Sequence, residues 1–245
     1  MTTTHVSRAP RCRPLSYTRT GQGPGLVLAH GATGGTDANY GAVIDAFARR
    51  HTVVGPDYPG SGRTPRADAP LTLDGLADAV VAAALDAGVE TFALHGYSLG
   101  GAVAVRAAVR HPERVTALVL AAAFARPGDA FRALLRAWHA EVASAPPADG
   151  PTPPADGPAG AADQVDLALR VDVRADLARI AVPTLVVATT ADELVTPDHS
   201  AELAAAIPGA RRADLASGHL IWEDTPEEWA GLVLDFLAAH GERTR

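Results

Sequence analysis

The 245-residue sequence contains no lysine, one cysteine and one methionine, and only 5% of its residues are aromatic. All 21 basic residues are therefore arginine. Without lysine there is no amine to form a Schiff base and no P-loop side chain to hold a phosphate. Cys12 alone excludes an internal disulfide and a cysteine metal cluster, and such sparing usage suits a reducing, cytoplasmic setting. No apolar run approaches the roughly 20 residues needed to cross a bilayer. Residues 1–14 are polar and carry arginine, so they read as a flexible terminus and not as a secretory signal. A net charge of −7 speaks against a nucleic-acid partner. No Asp, Glu and His grouping has metal-ligand spacing, and Gly-rich phosphate fingerprints are lacking, so neither a metal nor another cofactor is expected.

What is present is a regular alternation of buried-strand and helix signals. Leu15–Thr20 alternates weakly, and the following Gly21-Gln22-Gly23-Pro24 predicts a hairpin turn. Apolar runs at 25–29, 92–97, 115–123 and 183–188 have the character of parallel strands covered on both faces, and His51–Gly55 also reads as a strand. Between them, Val43, Ile44 and Phe47 and the apolar positions of 73–85 recur at helical spacing. Such strand–helix alternation predicts a mostly parallel sheet with helices on both sides. The core is expected over 15–123 and 181–241, closed by a helix from Pro226 to His240.

The segment between is different. Phe131, Leu134, Leu135, Trp138 and Val142 fall on one helical face, and Pro146–Pro151 is repeated as Pro153–Pro158. That Pro/Gly/Asp-rich tandem, within 145–162, predicts a mobile surface loop. Val165–Val173 alternates like a strand, while 174–180 reads as helix. Residues 124–180 are expected to form an inserted lid whose apolar face roofs a site. The alternative is that Trp138 and its neighbours simply pack on the core.

The central signal is His95-Gly96-Tyr97-Ser98-Leu99-Gly100-Gly101, directly after an apolar run and directly before a small-residue helix. Gly-x-Ser-x-Gly in a strand–turn–helix context places a serine at the apex of a strained turn. Four more segments accompany it in order: His30-Gly31-Ala32 after the second strand, Asp57-Tyr58-Pro59-Gly60-Ser61-Gly62, the Asp192 loop after the 183–188 strand, and Ser217-Gly218-His219-Leu220. Together they resemble the α/β-hydrolase fold superfamily from about residue 15 to 237.

The resemblance implies a serine hydrolase that cleaves a carboxylic ester, lactone or thioester. Ser98 would be the nucleophile, His219 the base and Asp192 its orienting acid, in the chain order of that superfamily. It implies oxyanion donors at the backbone N–H groups of Ala32 and Leu99. Asp57 is expected to anchor loop amides. Glu193 and Asp129 compete with Asp192 for the acid role but do not match its position, and the other eight histidines lack the setting of His219. A pocket lined by Tyr97, Phe131, Leu135 and Trp138 would take a small molecule with an apolar acyl or alcohol part. The same residues also serve lyases, cyclases and acyltransferases, and a hydrolase-like receptor is a further alternative.

Overall fold

A computed structural model describes residues 14–144 and 160–240. Its strands are β1 (Tyr17–Thr20), β2 (Gly25–Ala29), β3 (Thr52–Pro56), β4 (Phe92–Tyr97), β5 (Val115–Ala121), β6 (Thr184–Thr189) and β7 (Arg211–Leu215). They form one sheet in the order β1-β3-β2-β4-β5-β6-β7. All neighbours are parallel except β1, which runs antiparallel to β3. The helices are α1 (Thr36–Ala48), α2 (Leu73–Asp86), α3 (Leu99–Arg110), α4 (Asp129–Ser144), α5 (Ala161–Arg170), α6 (Arg174–Leu177), α7 (Pro197–Ala206), α8 (Ile221–Asp224) and α9 (Pro226–His240).

The apolar runs of the central strands are buried because both faces of the sheet are covered. Successive strand residues point to opposite faces. Val27, Ala29, Leu94, Leu118 and Val186 accordingly join the core shared with α2 and α3, while Leu26, Leu28, Ala93, Val119 and Val187 join the core shared with α1 and α9. Truncating any of these leucines to alanine removes contacts that a close-packed interior cannot restore, at about 2–5 kcal/mol each.

Two sequence expectations are corrected here. Gly21–Pro24 closes no hairpin, because β2 pairs with β3 and β4 and leaves β1 on the far side of β3. The positive φ angles of Gly21 (73°) and Gly23 (122°) let this connection press against the carbonyls of His51 and Arg50 instead. The strand-like stretch 165–173 is mostly the helix α5, which buries Ala161, Gln164, Val165 and Ala168 at i, i+3, i+4 and i+7, with Leu167 beside them. The alternation seen from Val165 onward is the end of this helix followed by the turn into α6. The tandem repeat at 146–158 lies outside the described residues.

Candidate active site

The turn between β4 and α3 is dictated by what its glycines exclude. A Cβ at Gly96 would fall on the Gly100 backbone, and one at Gly100 would fall on the Ala29 carbonyl. Strand and helix can therefore meet with almost no intervening chain. Ser98 takes the strain, at φ 53° and ψ −121°. A non-glycine residue in such a conformation costs on the order of 1–3 kcal/mol and persists only where its surroundings enforce it. They do so here, since Ser98 N–H donates to Ala121 O (3.0 Å) and Ser98 O accepts from Gly101 N–H (2.9 Å). Leu99 is the first residue of α3, so its N–H has no acceptor within the helix.

The loop after β2 lies beside this turn. The Tyr97 ring and the Ser98 Cβ leave no room for a side chain at Gly31. His30 is buried, and burial pushes its imidazole down to about 4, so it is neutral at ordinary pH. Its Nε2 accepts from Tyr58 N–H (2.9 Å), which leaves Nδ1–H to donate to Gly31 O (2.7 Å). Gly31 N–H donates to Asn39 Oδ1 (2.9 Å), and Thr33 N–H donates to Gln164 Oε1 (2.9 Å). Among the described residues, the Ala32 N–H between them has no hydrogen-bond partner. Asp57 accepts from Thr36 N–H (2.8 Å), an amide at the start of α1.

Asp192 follows β6 and its side chain is fully buried. Its Oδ1 accepts from Leu194 N–H (2.9 Å) and Val195 N–H (2.8 Å), and its Oδ2 accepts from Thr189 Oγ1 (3.0 Å). The same Oδ2 lies 2.7 Å from His219 Nδ1. A carboxylate held by three donors has little freedom to turn, so it fixes the imidazole and leaves Nε2 for other work. Glu193 and Asp129 are exposed and take no part in this arrangement. The His219 loop is itself held. Gly218 N–H donates to Asp224 Oδ2 (2.8 Å), and the buried Tyr97 hydroxyl donates to His219 O (2.8 Å). Burial first, and the Asp192 charge second, push that hydroxyl well above its ordinary value and keep it a donor.

Ser98, Leu99, Ala32 and His219 all border one cavity of about 660 Å³. Tyr97, Phe131, Leu135 and Trp138 border it too, so every candidate site residue except the buried Asp192 faces the same space. Phe131 and Leu135 of α4 are buried into the sheet-side core, while Leu134 on the same helix is 49% exposed yet also borders the cavity. Helix α4 thus packs on the core and lines the cavity at once. His199 packs its ring against Phe124 and Phe131 behind the cavity wall without lining the cavity, and other histidines stand farther off. His95 is buried between Tyr40, Phe47 and Trp229, His111 pairs with Asp78, and His139 borders a separate hollow with Arg66 and Asp163. Sequence reading overlooked Asn39, Gln164 and Asp224. Gln164 carries a signal in retrospect, because it is a polar residue within the apolar stripe of α5.

A family model of the alpha/beta hydrolase fold matches residues 24–140 and 125–226. Pyrrolizixenacetamide deacetylase from Xenorhabdus hominickii is 35% identical over 250 aligned residues, covering 91% of this chain and 94% of that protein. Polyketide synthase ThaQ from Burkholderia thailandensis is 34% identical over 251 residues, which is 89% of this chain but 12% of that protein. A solved hydrolase from Pseudomonas aeruginosa PA01 superposes with a TM-score of 0.80 at 28% identity, over 91% of this chain and 94% of that one. Seven strands in this order, a serine on a strained strand-to-helix turn and likeness across nine-tenths of the chain have one explanation: the protein belongs to the α/β-hydrolase fold family of enzymes.

Proposed function

We propose that the chain is a serine acyl hydrolase that works through an acyl-enzyme on Ser98. The observation that carries this reading is the meeting, around one cavity, of a serine at φ 53° and an imidazole whose Nδ1 sits 2.7 Å from a buried carboxylate. A serine hydroxyl is a weak nucleophile and needs a base. His219 Nε2 takes the Ser98 proton as Oγ attacks the acyl carbon. Asp192 holds the imidazole in the required tautomer and stabilises its protonated form. The N–H groups of Ala32 and Leu99 stabilise the alkoxide that develops on the carbonyl oxygen. His219 then returns the proton to the leaving group, and water releases the acyl chain by the same steps in reverse.

The substrate is a small ester, lactone or thioester with an apolar acyl or alcohol part, matching the apolar side chains that α4 presents to the cavity. Helices α4 and α5 act as a lid that excludes water from the acyl-enzyme. A fluorophosphonate probe should label the wild type at Ser98, and Ser98→Ala should be folded and unlabelled. Its turnover of an aryl ester should drop about 10⁴-fold or more. Near-normal hydrolysis by folded Ser98→Ala sinks the mechanism.

A further inference from the structure

The loop His30–Gly35 presents consecutive amides beside Ser98, and side chains from two distant elements hold those flanking Ala32. Asn39 on α1 takes the Gly31 N–H, and Gln164 on α5 takes the Thr33 N–H. With both neighbours bound, the Ala32 peptide plane has a set orientation, and of these three amides its N–H is the one without a partner among the described residues. Thr33 sits at φ 59°, a left-handed conformation unusual for a branched residue, which needs an outside partner to persist. Gln164 is that partner, although 131 residues separate the two in sequence.

The Gln164 amide is itself immobilised. It is fully buried, and its Nε2 donates to Ser61 Oγ (2.9 Å) and Pro59 O (3.2 Å). Both of its polar atoms are thus committed, one to the His30–Gly35 loop and the other to the Asp57–Gly62 loop. Close contact supports the bridge, because Gly160 N–H donates to Gly60 O (3.2 Å) and a Cβ at Gly160 would strike Pro59 O. A buried amide with each atom satisfied is rigid, and leaving its partners unsatisfied would be costly.

We propose that Gln164 is a positioning residue for the oxyanion site: by binding Thr33 N–H from the inserted segment, it aims the Ala32 N–H at the oxygen that becomes negative during acyl transfer. This rests on the serine acyl hydrolase reading above. The insertion is then a strut of the catalytic machinery as well as its roof. Because the developing oxyanion exists only in the transition state, the contribution belongs to kcat and not to substrate binding.

The test uses Gln164→Met, which keeps length and volume but removes both hydrogen-bonding atoms. With an aryl ester, kcat is expected to fall about 10- to 100-fold with KM within about twofold, somewhat less than the 10²–10³ seen when an oxyanion donor is deleted outright. Affinity for an alkyl boronic acid, which forms a tetrahedral adduct on the serine, should weaken in parallel with kcat/KM. A folded Gln164→Met protein with unchanged kcat, or with a raised KM and unchanged boronate affinity, overturns the proposal. If Gln164→Met fails to fold, Gln164→Asn decides. It keeps a polar amide in the buried position but is one methylene too short to reach Thr33 N–H while it holds Ser61 Oγ and Pro59 O, so kcat should fall with KM little changed. A folded Gln164→Asn protein with wild-type kcat overturns the proposal. Wild type that neither turns over esters nor reacts with a fluorophosphonate removes the parent reading instead, so the two failures are distinct.

Discussion

Residues 92–123 and the stretch made of α4 and α5 reach the same cavity by opposite means. In the first stretch the backbone does the placing. Gly96, Gly100 and Gly101 sit where a methyl group would strike Gly100, Ala29 or Ala123, and Ser98 is turned toward the cavity by the collision-free path that remains. The second stretch relies on side chains. Arg132 Nη1 donates to Leu169 O (2.9 Å) across the two helices, Arg170 Nη2 donates to Leu71 O (3.1 Å), and Gln164 bridges two loops of the core. Steric exclusion is absolute and local, so one methyl group breaks it. A hydrogen-bonded bridge is graded, with a typical net worth of about 0.5–1.5 kcal/mol per bond. Ser98 is thus held by the stiffer device, and α4 and α5 by the more adjustable one.

The largest expected effect is on the stiff side. Gly100→Ala puts a methyl group onto the Ala29 carbonyl, where neither β2 nor α3 has a flexible side chain to yield. It should cost more than about 4 kcal/mol, in the exceptional range for a single substitution, and yield little soluble protein. Leu134→Ala in α4, at a half-exposed position, should shift the urea midpoint only slightly. A soluble Gly100→Ala protein with a normal midpoint would break the contrast.

A second effect comes from two histidines buried neutral on the core side. His30 is pushed down to about 4 and His95 to about 3, each by burial, and among the described residues His95 has no partner for either ring nitrogen. A base with a depressed folded value takes up a proton on unfolding. Acid therefore favours the unfolded chain throughout the interval between the depressed and ordinary values. Stability should fall as pH drops from about 6.5 toward 4, by up to about 1.4 kcal/mol per pH unit for each histidine. Thermal melts across that window should show the slope, and His95→Phe should flatten part of it. An identical slope in His95→Phe would mean that other groups carry the acid sensitivity.

The smallest effect probes α4. Trp138 is half-buried, lines the cavity and packs against the core. If its main service is to hold apolar substrate, Trp138→Ala should lower kcat/KM for a bulky apolar ester about tenfold. Some 60 Å² of lost apolar contact at about 25 cal/mol per Å² is enough for that. The acetate ester should be nearly unaffected and the melting temperature little changed. Equal losses on both esters together with a lowered melting point would instead make α4 a part of the core.

Much of this architecture could be read along the chain. The central strands appear as apolar runs, the helices α1, α2, α4 and α9 as apolar residues at helical spacing, and the strained turn as two glycines around Ser98. Each is a local pattern, set by the period of the backbone or by the volume of a side chain against its near neighbours. Tertiary structure decided the rest. It put β1 beside β3 instead of β2, made 161–170 a helix despite an alternating tail, and brought Asn39, Gln164 and Asp224 to loops that lie far from them in sequence or belong to other elements. The physical reason is common to all three. A strand's free edge and a buried amide carry no mark of which partner will satisfy them, and that choice is made only when the whole sheet has closed around its core.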